Sequence, residues 1–367
     1  MKINEMLNLN NIDEHERSVM EEKKIEFKKK FSKLSSDSRK DAKDAICLYC
    51  KKKTTNFCNS HSLPASFLKN IALNGKCYIN NEIVDLPLMD SEKGVNNSGT
   101  FHLICKECDN KIFKEYETIE NYETIPTDKM IAQIALKNYL KSISKRRLEM
   151  ALYRNTAKGM LPPNADPKML EGFVEHLNKI NQLELNEYYR GFDRAKKIIQ
   201  KDWRNEYYLF YHEKLEYRVP IAFQYQVALI VDLEGNVINK VYNNDPNYKL
   251  QLINICVFPL KNSSIIMLFI DKDDKRYRSF YKQFKKLSRE DKLAAINFII
   301  FRYSEEVFIS KTVQNDTLND PNLKDISGIT GAQLSNVSSP DENLLIENSK
   351  FDRMYDIPNF LTMQMSE

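Results

Sequence analysis

The residues whose types and spacing most plainly do chemistry are four cysteines in two pairs. Cys47-Leu48-Tyr49-Cys50 opens a segment that Cys105-Lys106-Glu107-Cys108 closes. A Cys-x-x-Cys turn points two sulfurs at one ion, and two such turns complete a tetrahedron. Four thiolates leave no coordination position open to a substrate, so the pattern predicts a structural Zn²⁺. A disulfide or a redox pair is the other use of such spacing, but nothing marks the chain as secreted. Cys58, Cys77 and Cys256 lack a partner at that spacing and read as core or loop thiols, Cys58 being a substitute ligand at most.

Further polar residues gather around these pairs. Asn59-Ser60-His61-Ser62-Leu63-Pro64 follows the first, and Asp109-Asn110 leads from the second into a short helical pattern that reaches Glu117. A knuckle, a His-x-x-Pro element, a second knuckle and a helix, in that order, resemble the HNH endonuclease family over residues 44–120. The resemblance implies a zinc-stapled ββα-metal module that hydrolyses phosphodiesters with one Mg²⁺ or Mn²⁺. On it, His61 takes the proton from the attacking water, and Asn110 joins it as a catalytic residue.

The family places an acidic residue just before its His, where this chain has Ser60. A neutral hydroxyl holds a hard divalent ion less well than a carboxylate. Ligands are therefore expected from Asp109 and Glu117 beside Ser60, with Asn110 or Glu115 in reach. Asn96 or Asn97 would be the family's middle Asn, and His102 is a second candidate base. Plainer roles exist for each: His61 holding the Pro64 turn, Asp109 and Asn110 capping the helix.

The elements that must position these groups follow from composition and period. The chain has 367 residues, 42% of them hydrophobic, with a net charge of +4 that by itself argues for no partner. No apolar run approaches the ~20 residues of a membrane span. The first 18 residues lack the apolar core of a signal peptide, so a reducing cytoplasm is expected. Residues 16–45 read as a charged helix, and the charged helical arm is drawn over 1–43. The zinc domain takes 44–125, with a helix at 64–71, a strand or hairpin arm at 76–86, and a loop at 91–99 rich in Asn and Gly.

A helical region takes 126–203. Met130, Ile131, Ile134, Leu140 and Ile143 recur at helical spacing. Lys145, Arg146 and Arg147 near that helix's end are candidate phosphate contacts. The prolines at 162, 163 and 167 mark a linker, and Arg190-Gly191 marks a kink in a second helix. Residues 204–312 change to a period of two and read as an antiparallel α+β domain, with strands at 222–231, 237–242, 252–258 and 265–270. Helices at 275–287 and 289–301 follow, the second capped by Ser288. Residues 313–367 read as a polar, loosely ordered tail in which 351–363 could dock.

The fold class expected is α+β: an HNH-like zinc domain, a helical middle and an antiparallel α+β domain. No GxGxxG, P-loop or GxSxG is present. The function expected is a metal-dependent nuclease, in bacterial defence by analogy with the family, acting on DNA rather than RNA. A protein partner would bind through the C-terminal domain, and no membrane is involved. The alternative is a non-catalytic zinc-ribbon or treble-clef module that binds nucleic acid or protein.

Overall fold

The computed structural model describes residues 24–80, 83, 92–160, 167–243, 245–304, 306–327 and 342–366. The start of the expected N-terminal arm, the end of the 76–86 strand, the linker core at 161–166 and the tail at 328–341 lie outside them. The chain is α+β, and every strand pairing is antiparallel. In order, α1 is Lys24–Asp41, β1 Ser60–His61, α2 Ala65–Ile71, β2 Lys76–Ile79, β3 Glu92–Gly94, β4 Thr100–Phe101, α3 Lys106–Ile112 and α4 Lys114–Glu117. The long helices α5, Asp128–Met160, and α6, Pro167–Lys201, come next. Then β5 is Tyr207–Leu215, β6 Ile221–Val227, β7 Ile253–Pro259, β8 Ser264–Asp271, α7 Arg278–Lys286, α8 Arg289–Tyr303 and β9 Phe308–Ile309.

Among the described residues β1 pairs only with β4, and the remaining strands form one sheet ordered β3-β2-β9-β6-β7-β8-β5. Successive strand residues face opposite sides, so a strand buried on both faces must be apolar throughout. Strands β7 and β8 show this: Cys256, Phe258 and Met267 join the core under α5 and the zinc segment, while Val257, Ile266 and Leu268 join the core under α7 and α8. Phe67 of α2 stacks on Phe258 of β7 with centroids 4.5 Å apart. The zinc segment and the α+β region therefore share a core, and β2 enters the same sheet through β9. The domain boundaries drawn from composition are crossed by this sheet.

Several local expectations are corrected. The Asn-rich stretch at 91–99 supplies β3, because Cys77 and Tyr78 of β2 offer it a free edge. The strand expected at 237–242 reduces to one bridge between Val231 and Val237, since Asp232 binds the turn tightly through the amides of Glu234 and Asn236. Gly191 makes no kink. A Cβ there would lie 2.2 Å from the Tyr139 ring, so the missing side chain lets α6 close on α5 within one unbroken helix. Residues 351–361 dock as the sequence allows: Phe351, Ile357, Phe360 and Leu361 are buried in the core beside α8. The Ser288 cap stands as read, its hydroxyl accepting from Asp291 N at 3.1 Å.

Asp274 carries a pH dependence. Its carboxylate accepts from Leu252 N at 3.2 Å, but burial, then the Asp271 charge, push its pKa from 3.8 up to about 7. The native state thus holds this proton longer than the unfolded chain does. Stability is undiminished below the unfolded pKa and declines as pH rises toward 7. Asp274→Asn should raise Tm at pH 8 and gain little at pH 4, the difference being at most about 4 kcal/mol at roughly 1.4 kcal/mol per pKa step. Thermal melts at both pH values test this, and an equal gain at each would refute it.

Candidate metal centre and the hairpin beside it

The first knuckle is a tight loop closed by Cys47 N to Lys52 O and Lys51 N to Cys47 O, both 2.9 Å. Lys51 takes φ +62° to close it, a left-handed conformation that glycine would hold without strain. Leu48 N donates to Leu103 O at 2.9 Å, which fastens this loop to the strand leading into the second knuckle. There Cys105 sits at the N-cap of α3 with Cys108 in its first turn. Cys105 N also points at Cys47 Sγ, 3.3 Å away.

The four sulfurs of Cys47, Cys50, Cys105 and Cys108 all lie within 4.8 Å of one another. A tetrahedron with Zn–S bonds of ~2.3 Å has edges of about 3.8 Å, so a small contraction seats the ion. They lie close enough to hold a metal ion, and an all-thiolate set suits zinc. Burial and backbone donors act on these thiols in opposite directions. Burial opposes the Cys47 thiolate, but backbone N–H groups of Cys50 and Cys105 outweigh it and bring its pKa down to about 7. Cys108 is driven well above its ordinary value by burial and by the neighbouring sulfurs. The remaining thiols stay apart, Cys77 and Cys256 in the core and Cys58 turned toward Asp109 Oδ2 at 3.4 Å.

Between the knuckles runs a short antiparallel hairpin. Cys58 N donates to Ile104 O, Ser60 and His61 face Phe101 and Thr100, and Ser62 N donates to Gly99 O. Gly99 is required there: it has φ +62°, and a Cβ would meet Ser62 Oγ at 2.5 Å. His61 stands at the end of β1, with Nε2 3.2 Å from Val95 O. Burial depresses its pKa, so the ring is neutral at pH 7. Of the asparagines proposed for the middle position, Asn96 contributes its backbone carbonyl, to Asn59 Nδ2 at 3.1 Å. The carbonyl that orients His61 is Val95's. His102 directly follows β4 and is exposed.

Behind Ser60 and His61 the structure gathers a buried charged cluster. Ser60 Oγ donates to Asp109 Oδ1 at 2.7 Å. Lys137 of α5, with only 1% of its side chain exposed, brings its ammonium to Asp109 Oδ1 at 3.0 Å and Glu117 Oε1 at 3.3 Å. The same ammonium lies 3.7 Å from the centroid of the Phe113 ring. Burial raises the Asp109 pKa, but Lys137 and Ser60 outweigh it and the carboxylate stays ionised. For Glu117, burial prevails over Lys137 and the pKa rises.

Of the residues expected to hold a catalytic ion, Ser60, Asp109 and Glu117 do converge here, and His61 is their neighbour on β1. Asn110 does not. It is exposed, because one residue along a helix turns the side chain by about 100° from the buried Asp109. Glu115 turns to Lys129. Lys137 is the member that sequence reading missed. Its signal lies in Gln133, Lys137 and Lys141, polar residues at four-residue steps and hence on one face of α5.

The basic run expected near this helix's end lies midway along α5 and is engaged within the chain. Arg146 binds Asn181 at 2.6 Å, Glu149 at 2.9 Å and also Glu184. Arg147 donates to Tyr189 Oη at 2.7 Å and pairs with Asp44 at 3.5 Å. Lys145 lies in the field of Glu184. These charges join α5 to α6 and to the first knuckle.

No described helix is long and apolar enough to cross a membrane. Comparison with protein families, with curated proteins and with solved structures gives no match for this chain.

Proposed function

We propose that the knuckle–hairpin–helix segment is a nucleic-acid-binding module of HNH layout that works without a catalytic divalent ion. The observation that carries this is Lys137. In the layout the resemblance implies, a Mg²⁺ or Mn²⁺ would take the carboxylates of Asp109 and Glu117. Here an ammonium already bridges both, Ser60 supplies a hydroxyl where a carboxylate would sit, and Cys58 turns to the remaining Asp109 oxygen. A divalent ion does not fit beside a cation at that distance, so no hydrolytic step is routed through one. The zinc staples the module, and a set of thiolates kept for zinc suits a reducing cytoplasm.

One observation favours the hydrolase instead. A neutral His61, oriented by the Val95 carbonyl, has the form of a general base. The two readings separate in one assay. Purified protein is incubated with labelled single- and double-stranded DNA and RNA, with Mg²⁺ or Mn²⁺ added. The binding module retains label without cutting it. Divalent-dependent cleavage that His61→Ala lowers by ~10²–10⁴ with zinc content unchanged would overturn it in favour of the hydrolase.

A further inference from the structure

Helix α7 and strand β5 form a surface at the sheet edge opposite β2 and β3. Arg278, Lys282, Lys285 and Lys286 are all exposed on α7, which has no acidic residue in its sequence. Their spacing of three and four residues sets them in one stripe. Among the described residues no carboxylate pairs with any of the four. That distinguishes them from the arginines at either end. Arg276 is taken by Asn239 at 2.8 Å and the Lys249 carbonyl at 2.6 Å, and Arg289 by Glu213 at 2.5 Å.

Aromatic rings stand in the same stripe. Tyr281 lies three residues after Arg278 and four before Lys285, hence on their face of the helix. Its ring meets Tyr208 of β5 edge-on, with centroids 5.2 Å apart at 85°, and Phe210 backs it at 5.7 Å. Tyr208 is 43% exposed despite this support, so a large ring is held in place with surface left for a partner. Strand β5 is an edge, paired on one side only, to β8.

We propose that this surface binds single-stranded nucleic acid, with the cationic stripe on the phosphates and Tyr208 stacked on a base. A lysine stripe alone suits any polyanion. An oriented, exposed tyrosine beside it adds a partner with flat faces, and a single strand offers phosphates and unstacked bases together. A duplex keeps its bases inside and leaves the ring unused. The proposal rests on the nucleic-acid reading given above and names its surface and strandedness.

The test is fluorescence anisotropy of a labelled oligothymidylate with the full-length, zinc-loaded protein, over a range of NaCl concentrations. Arg278→Ala, Lys282→Ala and Lys285→Ala together should lower the salt slope by about 2, at ~0.7 per phosphate contact on a single strand. Tyr208→Ala should weaken binding roughly tenfold, while Tyr208→Phe, which keeps the ring, should not. Unchanged melting temperatures would show that each variant is folded. An unchanged salt slope in the triple variant, or wild-type affinity in Tyr208→Ala, would overturn the surface while leaving the module's nucleic-acid reading standing. Stronger competition by duplex DNA or by phosphatidylserine vesicles would overturn the choice of partner. A wild-type protein that binds no oligonucleotide would remove both proposals.

Discussion

Cys105→Ser should cost the chain its zinc and unfold the segment from Ile46 to Glu117. Cys105 acts three ways: as ligand, as the N-cap of α3, and through its amide on Cys47. The hairpin that links the knuckles is short, β1 and β4 being two residues each. A two-residue pair cannot hold itself in water. An ion held by the four sulfurs would then supply much of the segment's stability, since structural zinc sites in small peptides contribute an apparent ~10–16 kcal/mol to folding. The loss should spread, because Phe67 and Cys77 of the same segment belong to the core shared with the sheet. Metal analysis should find one zinc per wild-type chain and none in the variant, whose melt should be lower and broader. Cys58→Ser, which touches no ligand position and keeps a donor toward Asp109, should retain zinc and melt within a degree or two of wild type. A Cys105→Ser protein with full zinc content and unchanged melting would sink the assignment.

The staple was legible in the sequence because its information is local: two spacings specify four ligands. The Ser288 cap was legible for the same reason. What failed to show was everything set by a partner distant in the chain. Arg146 and Arg147 look like a cationic patch until Glu184 and Asp44 arrive from elsewhere to bind them. Gly191 looks like a kink until the Tyr139 ring fills its missing side chain. The C-terminal residues Phe351, Phe360 and Leu361 were legible as a segment that could dock, but the groove beside α8 that receives them comes from elsewhere in the chain. Strand β3 is a Glu-Lys-Gly sequence that no propensity would choose. It is a strand because β2 presents an edge, with Lys76 and Lys311 meeting Glu92. The cluster behind His61 was half legible: Ser60, Asp109 and Glu117 stand out beside the knuckles, whereas Lys137 is one of several cations in α5 and nothing local marks it as buried.

Lys137→Met should destabilise the protein more than any single change outside the zinc site. The substitution keeps the length and packing of the side chain and removes only the charge. Asp109, 8% exposed, and the half-buried Glu117 would then face each other without a counter-ion. Removing one partner of a buried ion pair typically costs about 3–5 kcal/mol, because the remaining charge stays desolvated. Adding Asp109→Asn and Glu117→Gln to Lys137→Met should recover most of that loss, since the carboxylates that needed the cation are gone. A divalent ion provides the sharper discrimination. If the ammonium stands where a metal would, millimolar Mg²⁺ should raise the melting temperature of Lys137→Ala, which opens space, and leave wild type unmoved. Stabilisation by a ligand grows as RT ln(1 + [L]/Kd), so the shift should increase with Mg²⁺ concentration. A wild-type protein stabilised by Mg²⁺ as strongly as Lys137→Ala would show that the ammonium yields its place readily, and would return the module to the metal-dependent nucleases. A Lys137→Met protein as stable as wild type would show that the carboxylates find other partners, and would remove the reason for treating Lys137 as the module's resident cation.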